Sequence, residues 1–147
     1  MIEIVQMQSI HIPQVAALEK LCFSEPWSEN SVRSELTNPL SLWLVAVEGE
    51  QVLGYVGSQT VMGEADMMNI AVLPNRRREG VARQLVEALV EALDQHDAHC
   101  LTLEVRASNE PAKALYGNLG FELAGRRPNY YRNPKEDALI LRKEWHR

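Results

Sequence analysis

Apolar and polar residues alternate over residues 2–7, the two-residue period of a half-buried strand. Over residues 10–23 the spacing becomes helical: Ile12, Val15, Ala16, Leu18, Leu21 and Cys22 recur on one side, and Pro13 stands near the start, where proline is tolerated. Ser24-Glu25-Pro26-Trp27 breaks this pattern. Ser28 is a suitable N-cap for a second helix, which Asn38-Pro39 ends. Residues 42–47, 51–60 and 65–72 read as strands, with turns at Glu48-Gly49-Glu50 and Gly63-Glu64. A long amphipathic helix is expected over 80–95 and a strand over 100–106. Asn109 should cap a short helix running to Asn118, with Pro111 in its first turn and Gly120 as its C-cap. Strands over 121–126 and 137–142 complete the chain and leave 127–136 as a loop. The order βααβββαβαββ predicts a mixed α/β sheet with helices on both faces, in a single domain over 1–147.

Composition narrows the function classes. With 46% hydrophobic and 24% charged residues the chain is ordinary for a water-soluble globular protein, and no apolar run reaches the roughly 20 residues of a membrane span. The start, Met1-Ile2-Glu3-Ile4-Val5, lacks the basic residues and cleavage site of a signal peptide, so a cytoplasmic protein without membrane contact is expected. Cys22 and Cys100 are too few for a disulfide framework and are not spaced as metal ligands; both read as reduced thiols. His11, His96, His99 and His146 show no metal spacing either and are expected at surface or boundary positions. The net charge of −5 argues against nucleic-acid binding and conceals an asymmetry. Residues 1–72 carry nine acids against two bases (net −7), and residues 73–147 carry thirteen bases against eleven acids (net +2). A basic second half suits an anionic cofactor, and an acidic first half suits a cationic substrate.

The basic half begins with Asn75-Arg76-Arg77-Arg78-Glu79-Gly80-Val81-Ala82-Arg83, between a strand and a helix. A glycine-bearing turn that opens a helix exposes backbone N–H groups and the positive end of the helix dipole, a site for pyrophosphate. Arginines there add charge-assisted hydrogen bonds. A helix start with a solvated basic turn explains the hexapeptide 77–82 equally well on its own. No Gly-Lys-Ser/Thr follows the glycine, which excludes a nucleotide phosphate loop.

Arg77-x-x-Gly80-x-Ala82 resembles the acetyl-CoA motif of the GCN5-related N-acetyltransferases (GNAT), Gln/Arg-x-x-Gly-x-Gly/Ala. Leu103-Glu104-Val105-Arg106-Ala107-Ser108-Asn109, Ala114-Leu115-Tyr116 and Leu119-Gly120-Phe121 resemble one branch, the ribosomal-protein-alanine N-acetyltransferases. Pro26-Trp27-Ser28, Asn69-Ile70-Ala71-Val72, and Asn129-Tyr130-Tyr131 with Glu136-Asp137-Ala138 match the same branch, so the resemblance covers nearly the whole chain. It implies the GNAT fold: a central, mostly antiparallel mixed sheet of about seven strands with about four helices on both faces. It also implies acetyl-CoA as co-substrate, no metal, and direct acetyl transfer in a ternary complex. The acceptor would be the N-terminal alanine in the basic N-terminus of a ribosomal small-subunit protein, and the enzyme would act as a monomer.

The resemblance assigns roles that the residue chemistry can support. A free α-amine has a pKa of about 7.7–8.0 and must lose a proton before it attacks a thioester. Glu104 is the implied general base, directly or through one water; a surface ion pair with Arg106 or another base is the plainer reading. Tyr116 is the implied acid that reprotonates the leaving thiolate, unless it is only an aromatic core residue. Cofactor contacts fall on the backbone of Ile70, Ala71 and Val72, on Arg77, Arg78, Glu79, Gly80, Val81 and Ala82 around the pyrophosphate, and on Asn109. Trp27, Tyr130 and Tyr131 would line the peptide groove. Ala82 replaces the glycine of many relatives, so somewhat weaker cofactor binding is expected, and Glu79 is expected to point its charge to solvent. Ser24, Ser28 and Ser108 lack a His/Asp arrangement for nucleophilic catalysis, and Cys100 lacks the surroundings of an activated thiolate. An acetyltransferase for lysine or a small amine and a non-catalytic acetyl-CoA-binding module are the alternatives; a pure binder would need neither Glu104 nor Tyr116.

Overall fold

In the computed structural model, which describes residues 1–145, seven strands form one sheet in the order β1-β2-β3-β4-β5-β7-β6. The strands are β1 (Glu3–Gln6), β2 (Ser41–Glu48), β3 (Gln51–Val61), β4 (Glu64–Val72), β5 (Cys100–Arg106), β6 (Glu122–Tyr131) and β7 (Glu136–Glu144). Four α-helices cover the sheet: α1 (Ile12–Cys22), α2 (Glu29–Ser34), α3 (Val81–Gln95) and α4 (Glu110–Asn118). Every strand pair is antiparallel except β4–β5.

The two-residue period of the strands sorts their side chains into two cores. Leu44 and Ala46 of β2 face α3, whose Leu85, Leu89 and Leu93 are fully buried at helical spacing. Burying each such leucine contributes roughly 1.5–3 kcal/mol. Trp43, Val45 and Val47 of the same strand face the opposite way, onto Ile12, Val15 and Leu18 of α1 and Val32 of α2. Gly57 is required by this second core: a Cβ there would collide with the Trp43 indole.

The helix boundaries follow the expected chemistry. Ser28 Oγ accepts from the Ser31 N–H at 3.0 Å, and Asn109 Oδ1 accepts from the Ala112 N–H at 3.1 Å. Gly120, at φ +91°, closes α4 while the Phe121 N–H bonds back to the Tyr116 carbonyl. One region departs from expectation. The segment 127–136, expected as a loop, is mostly strand: β6 continues to Tyr131, and a bulge between Arg127 and Tyr131 absorbs Asn129 at φ +54°. Asp137 holds that bulge by pairing with Arg126 and accepting from the Asn129 N–H, a cross-strand interaction that periodicity does not reveal. Among the histidines, His96 is exposed and His11 and His99 are partly buried, as expected, while His146 lies outside the described residues.

Candidate active site

β4 and β5 pair at three positions only: Glu64 with Cys100, Ala65 with Leu101 and Asp66 with Thr102. Beyond them the two strands part, and a cleft of about 830 Å³ opens between residues 67–70 on one wall and 103–106 on the other. A bulge sharpens the opening, because Asn69 pairs with Gly57 and Met67 with Ser58, leaving Met68 as an extra residue on β4. Two strand edges that no longer pair with each other present backbone N–H and C=O groups to whatever enters. An extended ligand carrying amides fits such a slot as an added strand does.

The sequence-expected catalytic pair lies in this cleft. Tyr116 reaches it from α4, 3% exposed, its ring edge-on to Phe121 at 5.4 Å and its hydroxyl 3.8 Å from Met67 Sδ. Burial, and secondly the nearby Tyr131, push its phenol up to about 12. It therefore holds its proton at any neutral pH. Glu104 lies on the opposite wall, on β5, and ion-pairs with Arg127 Nε at 2.5 Å. Thus the ion pair of the plainer reading is present, with Arg127 as the partner. Arg106 instead pairs with Glu136 at 3.3 Å and donates to the carbonyls of Arg132 and Pro134.

Tyr130 and Tyr131, edge-on at 5.1 Å, close the β6 end of the cleft. Arg106 lies 4.4 Å over the Tyr131 ring, and Arg127 lies 5.8 Å from that of Tyr130. Burial first, then the carboxylate of Glu104, raise both phenols, Tyr131 to about 12. Asp66 is also raised, by burial and then by Glu104 and Glu64, so a second acid shares the electrostatics of this wall. Trp27 lines the far side from the loop between α1 and α2, stacked obliquely on Trp43 at 5.4 Å; Trp43 in turn stacks on Tyr55 at 5.7 Å. Trp43 is fixed by its indole N–H on Glu35. Burial opposes the charge of Glu35, but Ser41, Gln59, Trp43 and Asn38 together hold its carboxyl below the usual range.

The turn 77–82 follows β4 directly. Gly80 sits at φ +80° as the N-cap of α3, with nothing within 4 Å of a Cβ, so the glycine answers a backbone requirement and not crowding. The first helical bond is from the Gln84 N–H to the Gly80 carbonyl, which leaves the N–H groups of Val81, Ala82 and Arg83 outside the helical ladder. Two side chains of this turn have partners within the protein. Arg77 folds back, donating from Nε to the Val72 carbonyl at 3.2 Å and lying 3.6 Å from Cys22 Sγ. Glu79 is exposed, as expected, and both its oxygens lie 3.0 Å from Arg76 Nε, because Arg76 offers a cation within one turn. Arg78 is exposed at φ +70°.

Of the residues assigned to the cofactor, Ile70 and Asn109 line the cleft, Ala71 and Val72 have buried side chains, and residues 77–82 form the adjoining turn. Sequence reasoning missed Phe23, Met67, Leu103, Ala112 and Arg132 in the lining, and Arg127 on Glu104. Apolar spacing marks several of these as core, and only the parting of two strands turns core positions into cleft walls. No group of three or more metal-ligating side chains and no helix long and apolar enough to cross a membrane occurs among the described residues.

Comparison with known proteins agrees with this geometry. Residues 12–121 match the model of the acetyltransferase (GNAT) family. The chain is 35% identical over 137 residues to the ribosomal protein bS18-alanine N-acetyltransferase of Escherichia coli strain K12, covering 92% of each protein. It is 39% identical over 131 residues to a Bacillus subtilis (strain 168) protein to which the same activity is provisionally assigned, covering 88% of this chain and 87% of that one. The crystal structure of the E. coli ribosomal-protein-S18-alanine N-acetyltransferase superposes with a TM-score of 0.91 at 34% identity, over 100% of this chain and 96% of that one. The parted β4–β5 strands, the glycine-capped α3 and the matched sequence thus converge on one conclusion: the chain belongs to the GNAT family of N-acetyltransferases.

Proposed function

We propose that this protein transfers the acetyl group of acetyl-CoA to the α-amine of an N-terminal alanine, on the basic N-terminus of a ribosomal small-subunit protein. The observation that carries this reading is the pairing of two unlike groups across one cleft: a phenol that keeps its proton and a carboxylate at the solvent-facing wall. Relatives at 35% identity that act on ribosomal protein bS18 support the substrate class.

The roles follow from position. The pyrophosphate would take the free N–H groups at the start of α3, at the positive end of its dipole. The pantetheine amides would pair with the exposed edge of β4 at residues 70–72, and Asn109, whose carboxamide oxygen is used in capping, has its Nδ2 group to offer. Glu104 takes the proton of the incoming ammonium, directly or through one water, as the substrate's positive end displaces Arg127. The amine nitrogen then bonds to the thioester carbonyl carbon. A backbone N–H of β4 stabilises the oxyanion, the carbon–sulfur bond breaks as Tyr116 delivers its proton to the sulfur, and the second proton lost by the nitrogen returns through solvent to the Tyr116 phenolate. Trp27, Tyr130 and Tyr131 would hold the first residues of the peptide, and no metal is needed for any step. The protein would work as a cytoplasmic monomer.

The test is to incubate the protein with acetyl-CoA and a short peptide carrying a basic, alanine-initiated N-terminus, following thiol release and peptide mass. A gain of one acetyl on the α-amine, lost when that amine is blocked, is expected. Transfer only to lysine side chains or polyamines would replace the peptide substrate. Binding of acetyl-CoA without transfer to any amine would remove the catalytic assignment.

A further inference from the structure

Glu19 is 0% exposed and lies on the inner face of α1. A carboxylate in such a place is costly unless each oxygen is hydrogen-bonded. Here both are. Oε1 accepts from the backbone N–H of Trp27 at 2.8 Å, and Oε2 accepts from the Asn69 side-chain amide at 2.5 Å and from the Tyr55 hydroxyl. Burial first, and then this carboxylate, push the Tyr55 phenol far above its ordinary value, so it stays a donor. The three partners come from three elements: the α1–α2 loop, β4 beside the Met68 bulge, and β3.

We propose that Glu19 is a positioning residue that ties the peptide side of the cleft to its acetyl side. It touches neither substrate. It acts through Trp27, which forms one wall of the groove, and through Asn69, which fixes the bulged edge of β4. A simple core residue would bury area without choosing an orientation. Three directed donors on one rigid acceptor set the distance between the loop and the strand edge. Neither the turn 77–82 nor residues 70–72 receive a bond from Glu19, so cofactor affinity should be nearly independent of it. This inference rests on the assignment of Trp27 to the peptide groove.

The test exploits hydrogen-bond polarity. Asn69→Asp places two carboxylates face to face, and peptide KM should rise at least about tenfold, since burying one unpaired charged group costs that much or more. CoA affinity, measured by calorimetry, should change less than about threefold. Adding Glu19→Gln should restore peptide KM. In that double variant the amide at position 19 donates to the carboxylate at position 69, the same bond with donor and acceptor exchanged, and Tyr55 can turn its hydroxyl. Glu19→Gln alone should stay near wild type, because the Asn69 amide can flip to accept. Acrylamide quenching in a Trp145→Phe background gives a readout independent of catalysis. Trp43 is buried, so added quenching reports release of Trp27; Asn69→Asp should raise it and the double variant should reverse it. An Asn69→Asp variant with wild-type KM and quenching overturns the proposal. So does a defect that Glu19→Gln fails to rescue, or one in which CoA affinity falls as far as peptide KM rises. If the wild type transfers no acetyl to the peptide, the proposed function fails, while the quenching series still decides the role of Glu19.

Discussion

On the β4 side of the cleft, Asn69 and the Trp27 loop hang from a carboxylate that water does not reach; on the β5 side, Glu104 meets an Arg127 whose side chain is 55% exposed. Both are carboxylates with hydrogen-bonded partners, and the roles proposed for them are opposite. The buried one holds geometry, because breaking any of its bonds strands a polar group away from water. The partly exposed one can exchange its partner, because solvent reaches the Arg127 side of the ion pair and makes its loss cheap. A base has to release one cation to receive another, so an exchangeable partner suits Glu104 and a fixed one suits Glu19. The proposed proton donor follows the logic of the fixed side: Tyr116 is enclosed, and enclosure keeps its proton in place.

The strongest challenge to this contrast is Glu104→Gln, which keeps shape and removes basicity. Its kcat/KM at neutral pH should fall by about 10²–10⁴-fold with the fold intact, the usual contribution of a general base. An undiminished rate across pH 6–9, a window around the roughly 7.7–8.0 of the amine, would show that Glu104 only pairs with Arg127. Tyr116→Phe comes next, with a loss of about 10²-fold in kcat. The sign of its pH dependence is fixed by the raised value: the acid acts while protonated, and protonation persists up to about 12, so the pH profile should show no alkaline fall from this group through ordinary assay conditions. A fall near the ordinary phenol value of about 10 would mean that Tyr116 is not enclosed when substrates are bound.

Gly57→Ala probes the fixed side through packing. The new methyl would press on Trp43, which backs Trp27, and stability should drop by about 1–3 kcal/mol in urea melts with a matching loss of peptide affinity. Gly80→Ala meets no atom, so its cost is backbone strain alone, about 1 kcal/mol, and it should appear chiefly as weaker CoA binding in calorimetry. The smallest change is expected from Arg127→Gln. Stability should move by less than about 1 kcal/mol, and peptide KM should fall slightly because the substrate cation no longer competes for Glu104. A large destabilisation there would place the Glu104 wall among the fixed parts of the molecule and remove the contrast.

Periodicity was enough for most elements because each long helix buries an apolar face against the sheet and the central strands are apolar runs of strand length. Leu85, Leu89 and Leu93 announce α3 without help, and Ser28, Asn109 and Gly120 announce the ends of their helices. The continuation of β6 to Tyr131 was not legible, since that edge strand is largely exposed and its bulge depends on Asp137 in a neighbouring strand. The site divides in the same way. Glu104, Tyr116, Trp27, Tyr130 and Tyr131 were legible as residue types in a family-like order, and the structure gathers them around one cleft. Glu19 did leave a signal. It stands four residues after Val15 and three before Cys22, an acid inside the apolar stripe of α1, and spacing alone could have marked it as a buried, partnered charge.

The sequence by itself determined what each segment can bury and what each reactive side chain can do, because period, capping and acid–base chemistry are local properties of residues. The parting of β4 from β5 after Asp66, the Arg127 cation on Glu104, the enclosure that raises Tyr116, and the three donors on Glu19 belong to the tertiary structure alone. Glu104 and Arg127 are 23 residues apart along the chain, and Glu19 and Asn69 are 50 apart. Such separations are closed only when both cores form on the same sheet.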